Sequence, residues 1–196
     1  MVLIRFDKGP MMRSIIIATA AILLSGCAGF TVSESYMNEQ LLEVETRSYE
    51  VTYHIGEMDP VDAKILLEGH TVSITNQGPI VHLTGKTIAN GDDYTINTTF
   101  IASVTGGLYL DTRDMTLQLT NPKVKLHSAR EVDPLVRRDY MDLTQEALNA
   151  IVLYHFDDVS LYNGPVDDLH ALLAEYDFVQ LKTRDGAVVI RGQHGN

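Results

Sequence analysis

Residues 94–104, YTINTTFIASV, carry the pattern on which the predicted fold depends. Alternate side chains of a strand face the same way, and here every second position is mostly apolar. Turn-forming residues stand on both sides, NGDD at 90–93 and GG at 106–107. The stretch therefore predicts a strand with one buried face, bounded by two turns. Its evenly spaced positions are Tyr94, Ile96, Thr98, Phe100, Ala102 and Val104.

Similar strand patterns lie on both sides of this stretch. Residues 63–74 and 80–88 precede it, and residues 108–119 and 124–126 follow it. Gly69 is a candidate bulge within the first of them. The breaks between the patterns are short and hold Asn, Gly and Pro. Because parallel neighbours need long crossover connections, these short breaks predict an antiparallel meander.

The period of the apolar residues changes after residue 133. They recur every three or four positions up to residue 154, which predicts one long amphipathic helix of roughly 20 residues, about 30 Å in length. Asp133 is the expected N-cap, and Pro134 lies in the first turn, where a missing N–H breaks no helical hydrogen bond. Such a helix is long enough to lie across the whole sheet. Its apolar positions are Leu135, Val136, Tyr140, Leu143, Ala147, Leu148, Ile151 and Val152.

Shorter elements are predicted towards the two ends of the chain. Ser33 is a candidate N-cap for a short helix, and residues 49–58 are predicted to form a strand. A strand over 157–162 and a short helix over 166–173 follow the long helix. Asp185–Gly186 lies between two apolar runs and predicts a closing hairpin.

The segment from Met12 to Cys27, MRSIIIATAAILLSGC, has the layout of a secretory signal peptide. A basic residue, Arg13, precedes an apolar run of about ten residues, which is short of the roughly 20 that a membrane-spanning helix needs. The closing residues, LSGC at 24–27, resemble the bacterial lipobox. That resemblance implies acyl chains on Cys27 and cleavage of the chain before it.

The expected organisation is a leader over residues 1–26 and a single lipid-anchored periplasmic domain over 27–196. Translation is expected to start at Met11 or Met12. Ala28 follows the lipidated cysteine where an Asp would retain enteric lipoproteins in the inner membrane. The lipobox resemblance thus implies a location in the outer membrane, facing the periplasm.

Charge narrows the expected partners. The chain holds 15 Lys and Arg against 26 Asp and Glu, a net charge of −11. An excess of negative charge disfavours binding to nucleic acid and electrostatic docking on anionic lipid. The expected contact with the membrane is therefore through the acyl chains on Cys27.

The order of these elements resembles that of the YceB-like family of bacterial lipoproteins, a family named as a domain of unknown function. The resemblance implies an α+β fold in which a curved antiparallel sheet wraps around one long amphipathic helix, similar to half of the tubular lipid-binding (TULIP, or BPI-like) architecture. It also implies a lipid-binding or lipid-sensing role, and it supplies no catalytic residue. The matching stretches are FTVSE at 30–34, the strand pair over 108–126, ALN at 147–149, VSLY at 159–162 and RDGAVVI at 184–190.

The sequence offers no pattern typical of an enzyme or a metal centre. Cys27 is the single cysteine, and no HExxH or GxSxG motif occurs. None of the histidines forms an i,i+4 pair on a predicted helix. We therefore expect no enzymatic activity, no cofactor and no metal. The seven histidines are His54, His70, His82, His127, His155, His170 and His194.

The expected functional site is an apolar groove between the long helix and the sheet. Burial of each CH₂ of an acyl chain in such a groove is worth about 0.8 kcal/mol. The same side chains could instead fill a core, since both arrangements need the same pattern. The groove candidates are Phe100, Leu117, Leu119, Tyr140, Leu143, Ala147 and Ile151.

Two functions follow from these alternatives. An envelope protein that binds or senses a lipid or other apolar ligand predicts a cavity of at least a few hundred Å³. A non-enzymatic adaptor or regulator of an envelope or peptidoglycan enzyme predicts a packed core and an exposed apolar patch of several hundred Å² for a protein partner.

Overall fold

Strands make up most of the protein. The structure, a computed structural model, describes residues 2–5, 29–54, 60–90, 95–114, 116–130, 137–164, 175–176 and 178–194. Within that part, 65% of the residues lie in strands and 21% in helices. Residues 6–28, which include Cys27, and the helix predicted over 166–173 lie outside the described residues, as do Asp133 and Pro134.

Ten strands and two helices follow one another along the described residues. The order is β1 (Val2–Arg5), β2 (Gly29–Ser33), α1 (Glu34–Leu41), β3 (Arg47–Tyr53), β4 (Val61–Thr75), β5 (Gly78–Asn90), β6 (Thr95–Asp111), β7 (Thr116–Arg130), α2 (Arg137–Asp158), β8 (Ser160–Asn163), β9 (Phe178–Arg184) and β10 (Ala187–Gln193).

Seven strands form the main sheet, in the order β1-β3-β4-β5-β6-β7-β8. All its neighbouring strands are antiparallel, so the predicted antiparallel meander is confirmed for β4 to β7. The pairing of β4 with β5 shifts register between Leu67 and Gly69, which confirms the bulge expected at that glycine. β4 to β7 are 13 to 17 residues long, well above the usual five or six.

The turn expected at Gly106–Gly107 is wrong, because β6 continues through both glycines to Asp111. The register between β6 and β7 shifts there instead. A Cβ on Gly106 would lie 2.6 Å from the carbonyl oxygen of Thr120, so a side chain has no room at this close approach of two backbones. The glycine pair marks a bulge rather than a chain reversal.

Three strands form a small sheet in the order β2-β10-β9. Gly186, with φ of 77°, turns β9 into β10, which confirms the predicted closing hairpin. Its N–H donates to the carbonyl of Ile74 at 2.9 Å, and its carbonyl accepts from the N–H of Glu34 at 2.8 Å. This turn therefore joins the small sheet to β4 and to the start of α1.

Helix α1 begins where the sequence predicts. Ser33 is its N-cap, and the hydroxyl accepts from the N–H of Tyr36 at 3.3 Å. Met37 and Leu41 are its buried positions. The Asn38 side chain bonds both the N–H and the carbonyl of Val72, at 2.6 and 3.0 Å, so α1 covers the part of β4 that extends beyond the end of β3.

The predicted fold class, a sheet wrapped around one long amphipathic helix, is wrong. The described part of the protein is mostly antiparallel β-sheet, with two helices. α2 is present over 22 residues, but it packs chiefly against β7. There the Gln145 side chain bonds the N–H of Leu126 at 2.7 Å and the carbonyl of Val124 at 3.0 Å.

The error has a physical reason, because the helical period of the apolar residues shows only that one face of α2 is buried. It does not show what share of the core consists of side chains from the strands. Most residues of the large core cluster lie on strands of the two sheets, and α1 adds two more. The helical stripe is one contributor to that core and not its centre. Its buried members are Thr144, Ala147, Leu148, Ile151, Val152, His155 and Phe156.

Candidate functional site

Six of the seven expected groove residues lie in or against one core cluster. Phe100, Leu117, Leu119, Ala147 and Ile151 are all buried members of the large core cluster. Leu143 is half-buried and packs against that cluster, while Tyr140 belongs to a second, small cluster with Ala129. The structure thus brings six of the seven residues together.

Close contacts indicate that this region is filled. A Cβ on Gly85 would lie 2.5 Å from Cζ of Phe100, so that ring rests directly on the backbone of β5. The Tyr140 hydroxyl is hydrogen-bonded to the Thr98 hydroxyl of β6. Phe100 is 1% exposed and Ile151 is 0% exposed. These residues are packed as a core is packed.

A hydrogen-bonded series of three polar side chains crosses the same core. His155 of α2 and His70 of β4 are joined through their Nε2 atoms at 2.7 Å, with ring planes 11° apart. The Nδ1 atom of His155 lies 2.9 Å from the Tyr49 hydroxyl of β3. Both histidines are buried, at 4% exposure for His70 and 0% for His155. The series therefore links α2 to two neighbouring strands.

Burial keeps this histidine pair neutral. Loss of solvent, with smaller effects of the nearby His70 and Arg47, lowers the pKa of His155 to about 3. Burial, with a smaller effect of Arg47, lowers the pKa of His70 to about 4. At neutral pH the bond between the rings therefore holds a single proton. Either Tyr49 donates to His155, which donates to His70, or every bond runs in the reverse direction.

One nitrogen at the end of this series lacks a partner. The Nδ1 atom of His70 is buried and has no hydrogen bond among the described residues. In the first arrangement it is an unpaired donor, and in the second it is an unpaired acceptor. The hydrogen bonds among these three side chains can therefore run in either direction, and they connect α2 to β3 and β4.

The sequence did contain a signal for this pair. His155 follows Ile151 by four residues and Val152 by three, so it lies on the apolar stripe of α2. His70 precedes the buried Val72 and Ile74 by two and four residues on β4. An i,i+4 pattern does not reveal the pair, because the two histidines come from different elements. The signal in the sequence is that each histidine occupies a position where the period of its own helix or strand predicts a buried apolar residue.

A pocket of about 210 Å³ opens beside His70 at the end of α1. Leu41, Leu42 and Val44 form its apolar wall, and Thr71 and His82 contribute to the opposite side. Leu42 is 79% exposed. The pocket lies along β4 between Leu67, the last residue that pairs with β3, and Val72, which the Asn38 side chain of α1 bonds.

Large apolar side chains are also exposed on several elements. They lie just after α1, on β6, on the outer side of α2 and at the start of β9. These residues are Leu42, Ile101, Tyr109, Leu153, Tyr154 and Phe178.

Comparisons add no family to this description. No protein-family model and no curated protein sequence matches the chain. The resemblance to the YceB-like family therefore stays a prediction.

The described part of the chain also bears on membrane spans and metal centres. Neither α1 nor α2 combines the length and apolar character that crossing a bilayer requires. Among those residues, no three His, Cys, Asp or Glu side chains come close enough together to hold a metal ion.

Proposed function

We propose that this protein is a lipoprotein of the bacterial cell envelope that works without catalysis, as an adaptor for a protein partner. Acyl chains on Cys27 hold it at the membrane, in the outer membrane facing the periplasm. The lipobox-like residues 24–27 and the short apolar run before them support the anchor. The net charge of −11 supports anchoring by lipid chains rather than by attraction to anionic headgroups.

The close packing of the expected groove residues is the observation that favours an adaptor. A ligand groove would leave space beside Phe100, Ala147 and Ile151, and these side chains are instead at most 1% exposed within one core cluster. Pockets that bind small molecules are usually about 300–1,000 Å³ in volume. The pocket beside α1, at about 210 Å³, falls below that range.

Binding of a lipid or other apolar ligand is the second candidate function. The pocket beside α1 supports it, because Leu41, Leu42 and Val44 offer an apolar wall next to polar groups. A short apolar group, rather than a whole acyl chain, suits its volume.

The anchor is tested by labelling cells with radioactive palmitate and separating membrane from soluble fractions. We expect the wild-type protein to incorporate label and to sediment with membranes. Cys27→Ser should incorporate none and should accumulate unprocessed or soluble. Wild-type protein without label, or a Cys27→Ser protein that is trimmed and still membrane-bound, would refute the proposed anchor.

The adaptor is distinguished from the ligand binder by native mass spectrometry of the lipoprotein released gently from membranes. We expect the mass of the protein with its own acyl chains and nothing more. A further lipid bound at one per protein, and lost in a Leu42→Asp variant that places a charge on the exposed wall of the pocket, would favour the ligand binder instead.

A further inference from the structure

The outer edge of β3 is covered by residues that the mature protein is expected to lose. β1 pairs with β3 in an antiparallel register that sets Val2 opposite Tyr53, Leu3 opposite Thr52, Ile4 opposite Val51 and Arg5 opposite Glu50. β1 also lies against α2. It therefore fills a strand-shaped space between β3 and that helix.

We propose that, in the processed lipoprotein, the edge of β3 is the docking site for an extended segment of a partner protein. The segment adds to the main sheet as an antiparallel strand, in the position that residues 2–5 occupy in the full chain. This inference rests on the proposed function, because cleavage before Cys27 leaves a mature protein without residues 2–5, wherever translation starts.

Elsewhere in the main sheet, side chains of the mature domain bond parts of the backbone that no neighbouring strand pairs. Asn38 bonds the backbone of Val72, and Glu34 accepts from the N–H of Ile74 at 2.8 Å on β4. Gln145 covers β7 in the same way, through the backbone of Val124 and Leu126. At β3 that cover comes instead from the leader. An uncovered strand edge is a template for pairing with another chain.

The shape of β3 suits strand addition. Its seven residues pair with β4 without a register shift, so the backbone is regular along its whole length. Tyr49, Val51 and Tyr53 are buried on the inner face, which fixes the strand in place. Every second residue of such a strand directs its N–H and carbonyl towards the missing neighbour.

Hydrogen bonding selects a peptide over a lipid as the occupant. When β1 leaves, backbone N–H and carbonyl groups of β3 lose their partners. An acyl chain entering the space between β3 and α2 would leave these groups unpaired, whereas an extended peptide restores each bond. Main-chain bonding also sets direction and register, which the pairing with residues 2–5 already defines.

The pairing with β1 also indicates the chemistry of the partner segment. Residues 2–4 are Val, Leu and Ile, and the register sets Arg5 opposite Glu50. Given the net charge of −11, we infer a short apolar segment that ends in a basic residue.

Register-specific cross-linking tests this docking. A Glu50→Cys lipoprotein, purified from membranes in detergent, is mixed with a synthetic peptide of residues 1–8. In one peptide cysteine replaces Arg5, and in the other it replaces Ile4. We expect at least tenfold more disulfide with the first peptide, because position 5 lies opposite residue 50 and position 4 lies opposite residue 51.

The matched control is Lys125→Cys, an exposed position on β7, which should not distinguish the two peptides. On the unmodified wild-type lipoprotein, the peptide should also slow hydrogen exchange of the β3 amides. A peptide methylated on alternate backbone nitrogens should lose both effects, since it cannot donate to β3.

The outcomes separate this inference from the proposed function. Equal cross-linking of the two peptides, or unchanged exchange of the β3 amides, would overturn the docking site while the lipid anchor stands. Glu50→Cys dimers that exclude the peptide would overturn it in favour of pairing between two copies. An intact mass that retains residues 1–26 would overturn the processing itself, and with it both proposals.

Discussion

The bond between His70 and His155 places one shared proton between two buried rings. Both rings are neutral in the folded protein, because burial lowers the pKa of His70 to about 4 and that of His155 to about 3. In the unfolded chain each ring returns to the ordinary histidine pKa of about 6.5. Between these values the unfolded state binds more protons than the folded state, so acid favours unfolding.

This difference predicts a pH-dependent stability. The stabilisation from the neutral pair should be complete above about pH 6.5 and should fall as the pH drops from there towards 4 and 3. The loss should approach about 1.4 kcal/mol per pH unit for each proton taken up. Urea unfolding between pH 4.5 and 7.5 measures it.

The double variant His70→Leu/His155→Leu should lose most of this slope, since no buried ring remains to be protonated. His127→Leu changes an exposed histidine of β7 and should keep the slope. If the double variant and the wild type lose stability in parallel across this range, the histidine pair is not the cause.

Asn38 is predicted to matter more for stability than its partial exposure suggests. Its side chain satisfies both backbone groups of Val72, and Asn38→Ala would leave both unpaired. We expect a loss of about 1–3 kcal/mol in the free energy of unfolding. Glu39→Ala, an exposed neighbour on α1, should change it by less than about 0.5 kcal/mol. Equal effects in urea unfolding would contradict this role for Asn38.

Among the elements, the unbroken course of β6 depends on Gly106. A Cβ there would lie 2.6 Å from the Thr120 carbonyl oxygen and 3.0 Å from Cγ of Leu119. Gly106→Ala should therefore destabilise the protein by about 1–3 kcal/mol through overpacking. Thr105→Ala, at the exposed neighbouring position, should have little effect. A Tm for Gly106→Ala that matches the wild type would show that the two strands can move apart at the bulge without loss of stability.

The elements that the sequence predicts well are those fixed by local signals. The cap at Ser33, the bulge at Gly69 and the turn at Gly186 each depend on residues close in the chain. Gly106–Gly107 was mistaken for a turn because a glycine pair suits a reversal as well as a bulge. The pairing with the neighbouring strand decides between a turn and a bulge, and that pairing is part of the tertiary structure, which a local pattern does not show. The end of α2 was misplaced likewise, since the helix continues to Asp158 through residues predicted to begin a strand.

The candidate site was harder to predict than the elements. Six of the seven groove candidates lie in or against the large core, but the period of apolar residues cannot distinguish a filled core from an open groove. The histidine pair needs His70 from β4 and His155 from α2, which are 85 residues apart in the chain. The strand edge at β3 was invisible from the sequence, because a register between residues 2–5 and 50–53 leaves no local pattern.

At the scale of the whole molecule, one continuous core joins the two sheets and both helices. A filled core predicts that an enlarged side chain is harmful where a groove would accept it. Ala147 is 0% exposed, so Ala147→Leu should cost about 1–3 kcal/mol. Asn149→Leu, on the exposed side of α2, should change stability little. An Ala147→Leu protein as stable as wild type in urea would instead indicate empty space beside the helix.

In the proposed lipoprotein, the position of β2 would limit how far the domain can move from the membrane. β2 begins at Gly29, two residues after Cys27, and an extended chain gains at most about 3.6 Å per residue. A lipid anchor on Cys27 would therefore keep the start of the small sheet within about 7 Å of the acylated residue. The proposed partner would then have to be resident at, or be delivered to, the same membrane surface.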